Sequence, residues 1–349
     1  MSVQEEALGH RLPPAHLQIP GLKYIPGIAL LALVGYAGKL VSAQVPHTEY
    51  VLFAIAIGMV IGNTVRLPAL VLTGVNTYEL WLKTGIVLMG ATLSLQNVVK
   101  IGGMGLALVA AEILISIVVA RYLARLFGLT DKLGSLIGIG VGICGVSAII
   151  GATGAIDAEE EDQSYAIATI LLFGAVMLFV FPLIGHLVGM SDKIFGFWTG
   201  LAIDNTAETV ATGMAYSDAA GKLATIVKLS RNALMGLVIL GFALFYARQG
   251  LAPDVPNKGK FIWDRFPKFL LGFLLMSLLA SIGFFSPMQV KALTALSKWF
   301  FVLTFAGVGF ATQFRRMRAG VKPFLVGFGV EAVISVLTLG MVLLAAVWL

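Results

Sequence analysis

The chain has 349 residues, of which 58% are hydrophobic and only 12% charged, about half the roughly 25% charge of an ordinary soluble protein. With a mean hydropathy of +0.94, this composition excludes a soluble enzyme, a nucleic-acid binder and a disordered chain, and defines an integral membrane protein. The net charge of +6 fits a polytopic protein, whose Lys and Arg collect in cytoplasmic loops. A single cysteine, Cys144, excludes an intrachain disulfide and any cysteine-based metal cluster.

Residues 1–23 carry Glu5, Glu6, Pro13, Pro14 and Pro20 without an apolar core, and read as a cytoplasmic tail. Residues 24–349 are expected to form a single transmembrane domain, read below as a transporter domain. A hydrocarbon core needs about 20 helical residues, and eleven stretches qualify: roughly 24–43, 48–65, 79–99, 103–127, 133–155, 164–189, 194–215, 219–247, 266–286, 292–313 and 322–348. Continuous apolar runs exclude a β-barrel, whose strands alternate. The expected fold is therefore an all-α polytopic membrane protein of about eleven transmembrane helices.

Charge sidedness fits that count. With the N-terminus on one side, sixteen Lys and Arg fall there and four, Lys39, Lys100, Lys222 and Lys291, fall opposite. This places the N-terminus in the cytoplasm and the C-terminus outside a bacterial inner membrane. The acidic cluster Asp157, Glu159, Glu160, Glu161 and Asp162 is assigned to the Lys-poor side, and Lys193 to the rich one. Unlike-sided termini permit inverted repeats, the plan of many secondary transporters. Residues 111–116 (Ala-Glu-Ile-Leu-Ile-Ser) resemble residues 330–335 (Val-Glu-Ala-Val-Ile-Ser), pairing spans 4 and 11 in opposite directions. A five-plus-five repeat pairing spans 5 and 10 is the competing register.

Span 5 contains Gly138, Gly140, Gly142 and Gly145, each costing about 1 kcal/mol of helix propensity relative to Ala. Small residues can serve close helix packing. Alternatively the helix is interrupted near the midplane, freeing N–H groups at a positive dipole end that binds an anion. Gly142, Gly145 and Ser147 would then line the site. Span 10, with Gly307 and Gly309, is the comparable partner for a second interruption. Spans 7 and 8 hold Asp204, Asn205, Thr206 and Glu208, and Lys228 and Arg231. Intramembrane charges cost about 2.5–3.5 kcal/mol each and face a partner or a cavity. Either the carboxylates simply neutralise the cations, or Lys228 and Arg231 hold an oxyanion while Asp204 and Glu208 carry a coupling ion. Lys83, Glu112, Lys298 and Glu331 also fall within spans, and Glu112 and Glu331 are candidates for ion coupling or for internal pairing, Lys83 being one partner. His186 reads as interfacial. No nucleotide loop, metal-binding His pair or nucleophile elbow occurs, so neither an enzyme nor a cofactor is expected.

At residues 142–149 (Gly-Ile-Cys-Gly-Val-Ser-Ala-Ile), 196–207 and Lys228-Leu229-Ser230-Arg231, the chain resembles the family of bacterial inner-membrane sulfate exporters. The resemblance runs from about Tyr50 to Leu349. That family is similar to the bile-acid symporter and cation–proton antiporter superfamily, which implies inverted repeats of five helices, two discontinuous crossing helices (here spans 5 and 10) and a homodimer. The family pattern has a His before an acid-Thr-Ala run and a Gln after it, where this chain has Asp204, Asn205 and Glu208. The added acids point span 7 toward a proton or cation. The expected function is secondary active export of a small oxyanion such as sulfate, sulfite or a sulfonate, coupled to a proton or cation gradient. Its partners would be that anion, the coupling ion and the lipid bilayer, with no nucleic acid. The alternative is a cation–proton antiporter without an anion substrate, and a third reading is a non-transporting scaffold with paired charges.

Overall fold

The computed structural model describes residues 22–45, 50–93, 95–313 and 321–345, and regular structure among them is entirely helical. Residues 1–21 of the expected tail lie outside the described residues. Sixteen α-helices follow in chain order: α1 (Ile25–Ser42), α2 (Tyr50–Thr64), α3 (Ala69–Val75), α4 (Tyr78–Met89), α5 (Leu95–Leu126), α6 (Asp131–Gly142), α7 (Val146–Ile156), α8 (Glu160–Val188), α9 (Asp192–Ala202), α10 (Thr206–Tyr216), α11 (Asp218–Ala233), α12 (Met235–Arg248), α13 (Lys258–Arg265), α14 (Phe269–Ser281), α15 (Pro287–Ala311) and α16 (Val321–Ala345). Six stretches are long and apolar enough to cross a bilayer: α1 with its preceding turn, most of α5, α8, α11 with α12, α15 and α16. Leu234, between α11 and α12, keeps helical dihedrals, and its carbonyl accepts from Val238 N at 3.1 Å. The two run on as one helix.

The fifth and seventh expected spans do not cross. Laid end to end, the 12 residues of α6 and 11 of α7 would separate their outer ends by about 35 Å at 1.5 Å per residue. Instead Lys132, at the start of α6, donates to the carbonyl of Asp157, just after α7. The Thr130 hydroxyl, before α6, meets Asp162 at the start of α8 at 2.8 Å. The pair α6–α7 is a helical hairpin that leaves by the side it enters. The pair α9–α10 repeats the arrangement: Ser217 Oγ donates to Asp192 Oδ1 at 2.7 Å, Tyr216 donates to Met190 O, and the Phe195 and Tyr216 rings stack at 4.0 Å. Helix α8, 29 residues long, joins the two. At about 43 Å it puts their mouths on opposite faces, so the hairpins enter from opposite sides and meet tip to tip.

These hairpins correct the expected topology between residues 157 and 193. The acidic cluster lies with Lys132 on the face that also carries the Arg248 end of α12, since Lys132 donates to Leu251 O at 3.2 Å. Lys193 moves to the other face. Two misread spans in series cancel, which is why charge sidedness beyond α11 is unaffected.

The helices form two groups. In one, α1–α4, α14 and α15 pack together; in the other, α5, α8, α11–α12 and α16 surround the hairpins. Helix α15 is unbroken from Pro287 to Ala311, which corrects the expectation that span 10 is the second interruption; that interruption falls in span 7. Gly307 and Gly309 serve close packing within the first group: a Cβ at Gly307 would stand 2.1 Å from Tyr78 Cβ, and one at Gly309 2.3 Å from Ile55 O. Their N–H groups remain in the helix ladder and are not offered to an anion.

The hairpin topology makes a direct labelling prediction. In a Cys144→Ser background, Phe127→Cys and Glu159→Cys flank the first hairpin. Both are expected to react with an impermeant maleimide from the same side of sealed vesicles. Labelling from opposite sides would restore a crossing span.

Candidate functional site

Both tips end an incoming half-helix in mid-fold. Gly142 ends α6, and the chain turns through Ile143 and Cys144 to Gly145, whose φ of +63° is open to glycine at little cost. Ala202 ends α9, and Ile203 to Asn205 run extended into α10. The tips touch, for a Cβ on Gly145 would lie 3.5 Å from Asp204 Cβ and 3.6 Å from Asn205 N.

A half-helix stopping inside apolar surroundings leaves its last carbonyls without partners and a partial negative charge at that end. Lipid supplies no donors. Here α11 supplies them. Lys228 Nζ donates to Ile143 O at 2.7 Å and Ile203 O at 2.8 Å, one carbonyl from each tip. One turn on, Arg231 Nε donates to Gly142 O at 2.8 Å, and Nη1 donates to Leu201 O. Arg231 also meets two carboxylates, Asp204 Oδ1 at 3.5 Å and Glu112 Oε2 at 3.4 Å. Both cations are completely buried. Lys228 and Arg231, expected either to hold an oxyanion or to be neutralised by carboxylates, commit their donors to backbone carbonyls and carboxylates. Their geometry is that of a clamp on two helix ends.

The opposite dipole ends also converge. Helices α7 and α10 start at the tips and run away from each other, so their N-terminal N–H groups face the same region. Ser147 is exposed there, and Asn205 and Thr206 are half-buried. Asn205 caps α10, its Oδ1 accepting from Ala207 N at 3.0 Å, and Thr206 Oγ1 accepts from Asn232 Nδ2 at 2.9 Å. Of the expected anion-site residues, then, Gly142, Gly145, Asn205 and Thr206 lie at the two tips and Ser147 in the first turn of α7, while Gly307 and Gly309 lie in the seam with α2 and α4.

Asp204 and Glu208 are both buried. Glu208 lies against Gly174 of α8, where a Cβ would stand 2.0 Å from its Oε2, an atom without a hydrogen-bond partner. Glu112 on α5 and Glu331 on α16 are completely buried; Glu112 pairs with Arg231, and Glu331 stands beside Asp204. Lys83 is not their partner: it is exposed and pairs with Glu79 at 3.0 Å. Lys298 pairs with Asp218 at 2.5 Å near the mouth of the second hairpin, and His186 stacks on Tyr216 at 4.4 Å.

One signal in the chain does mark the hairpins. Thr130-Asp131-Lys132 and Ser191-Asp192-Lys193 stand 61 residues apart, as do Asp157 and Asp218, which follow the returning helices. Thr130 and Ser191 are N-caps, accepting from Leu133 N at 3.0 Å and Ile194 N at 3.3 Å. A helix start capped by Ser or Thr belongs at a water-facing edge, and the two segments repeat each other at equal length.

Fold and site together define a multi-pass helical membrane protein built around two opposed re-entrant hairpins and a buried cluster of charge. Residues 26–327 match the family described as conserved hypothetical protein 698, and the chain belongs to that family. It is 34% identical over 336 residues to a UPF0324 membrane protein of Nitratidesulfovibrio vulgaris, covering 93% of each chain. It is 32% identical over 332 residues to a UPF0324 membrane protein of Clostridium tetani, covering 90% of this chain and 96% of that one.

The clamp predicts a large stability loss on truncation. Lys228→Met leaves two buried carbonyls without donors, at roughly 1–3 kcal/mol each. Unfolding in detergent is expected to show a loss of about 3 kcal/mol, and a loss well under 1 kcal/mol would remove the clamp from the account.

Proposed function

We propose that this protein is a secondary transporter for a small oxyanion, bound where the N-termini of α7 and α10 face each other. The observation that supports this reading is that α7 and α10 both start at the touching tips, with Ser147 exposed on the first and Asn205 and Thr206 half-buried at the second. Paired N-termini supply N–H donors and positive dipole ends to an anion without burying another cation. Broken backbone at membrane depth is characteristic of transporter sites. The resemblance to sulfate exporters supplies the substrate class: sulfate, sulfite or a sulfonate.

The opposed hairpins also support an inverted repeat. Helix α5 packs along α6, and Ser116 Oγ donates to Gly138 O at 3.1 Å. Helix α16 packs along α9, and Trp198 Nε1 donates to Ser335 O at 2.8 Å. Glu112 and Glu331 precede these serines by four residues, in the register of the 111–116 and 330–335 match rather than the five-plus-five one. Alternating access then moves the hairpin group against the group holding α15. Arg66, Arg121, Arg125, Lys132 and the basic residues from Arg248 to Lys268 mark one face as cytoplasmic in an inner membrane. Export is driven by a proton or cation gradient, with Asp204 and Glu208 as coupling groups.

Purified protein in liposomes is expected to take up radiolabelled sulfate or sulfite under an imposed pH or sodium gradient. Thr206→Val together with Ser147→Ala is expected to lower uptake about tenfold, the loss of about 1.4 kcal/mol of anion binding. Uptake unchanged by both substitutions would refute the site. The excess of buried carboxyls favours a second reading, cation–proton antiport. Sodium-driven dissipation of a pH gradient in vesicles free of oxyanion, with no anion uptake, would select it.

A further inference from the structure

Around the hairpin tips, among the described residues, four completely or almost completely buried carboxyls (Glu112, Asp204, Glu208 and Glu331) accompany two buried cations, Lys228 and Arg231. The imbalance is sharper than the count, because both cations also serve helix ends that already bear partial negative charge. An unpaired buried carboxylate is heavily penalised by desolvation, so the surplus must be neutralised by something outside the chain. Neither oxygen of Glu112 or Glu331 has a hydrogen-bond partner. Among the described residues, no three acidic, His or Cys side chains converge as they would around a metal ion. A proton needs only one or two oxygens, which these unpartnered carboxyl oxygens supply.

We propose that Glu112 and Glu331, from the two helices flanking the hairpins, form with Asp204 and Arg231 a buried proton-binding site that holds at least one proton in the folded protein. Two carboxyls side by side, as Asp204 and Glu331 are, share a hydrogen bond once one of them carries a proton. Arg231, between Glu112 at 3.4 Å and Asp204 at 3.5 Å, couples the proton to the geometry of the second tip. The groups facing the site are Glu112 from α5, Asp204 and Glu208 from the second hairpin, Lys228 and Arg231 from α11, and Glu331 from α16, with the Cys144 thiol beside Lys228. A proton arriving at Glu331 or Asp204 weakens the hold of Asp204 on Arg231, the residue that clamps Gly142 and Leu201. Proton occupancy and hairpin position are thus linked through one guanidinium. The site stands independently of any anion substrate.

Infrared spectroscopy of the protein in lipid nanodiscs at neutral pH tests this without a transport assay. The wild type is expected to show the carbonyl stretch of a protonated carboxyl, lowered or lost in Glu331→Gln and in Glu112→Gln but unchanged in Glu79→Gln, which alters an exposed pair. Absence of the band from the wild type, or its loss in Glu208→Gln alone, would overturn the assignment. Should the glutamine variants not fold, dicyclohexylcarbodiimide, which attacks protonated carboxyls in apolar surroundings, is applied to the wild type and the adducts are mapped by mass spectrometry. An adduct on Glu112 or Glu331 supports the site. Labelling confined to other carboxyls, or none, refutes it.

Discussion

A helix can stop in the middle of a hydrocarbon layer only if its last carbonyls find donors, and this fold meets that requirement with two side chains. Lys228 bridges Ile143 and Ile203; Arg231 bridges Gly142 and Leu201. Each cation takes one carbonyl from each hairpin, so neither tip is completed without the other. The turn at Gly145, the extended segment at Asp204 and the contact between them all follow from that shared clamp. Its dependence on α11 also explains why a helix carrying two charges can sit in the centre of the bundle: the charges serve backbone that would otherwise be orphaned.

The same clamp sorts the electrostatics of the site. With the negative helix ends matched by Lys228 and Arg231, the positive ends at Val146 and Thr206 remain at the tips, where the proposed anion site lies. The acidic residues then exceed what the cations can balance. The proposed anion site and the proposed proton site thereby use different atoms of one cluster, joined only through the tips that Arg231 clamps.

Much of this was legible from residue types. The apolar composition dictated a polytopic helical protein, the glycines around Gly145 offered an interrupted span beside plain helix packing, and the intramembrane charges at Asp204, Glu208, Lys228 and Arg231 pointed to residues that the structure buries together at the hairpin tips. Several readings changed. Span 5 proved a hairpin, because 23 apolar residues have the same hydropathy whether they cross or return. Gly307 and Gly309 proved to be packing residues in an unbroken helix, since a glycine facing a neighbouring backbone and one that breaks a helix look alike in one dimension. Lys228 and Arg231 serve carbonyls, which carry no signature in the sequence because every residue has one.

Taken by itself, the sequence determined what depends on neighbours along the chain: which segments prefer lipid, where Thr130 and Ser191 can cap a helix, where only glycine turns easily, and which charges are too deep to be solvated. The tertiary structure alone decided what depends on partners far apart in the chain. Lys228 meets a carbonyl 85 residues away and Arg231 one 89 away, and those encounters hold the half-helices turned back and fix where the second break lies. Hydropathy and capping are short-range free energies summed along the chain; the satisfaction of a buried carbonyl is a contact between distant segments, and it exists only once they have packed.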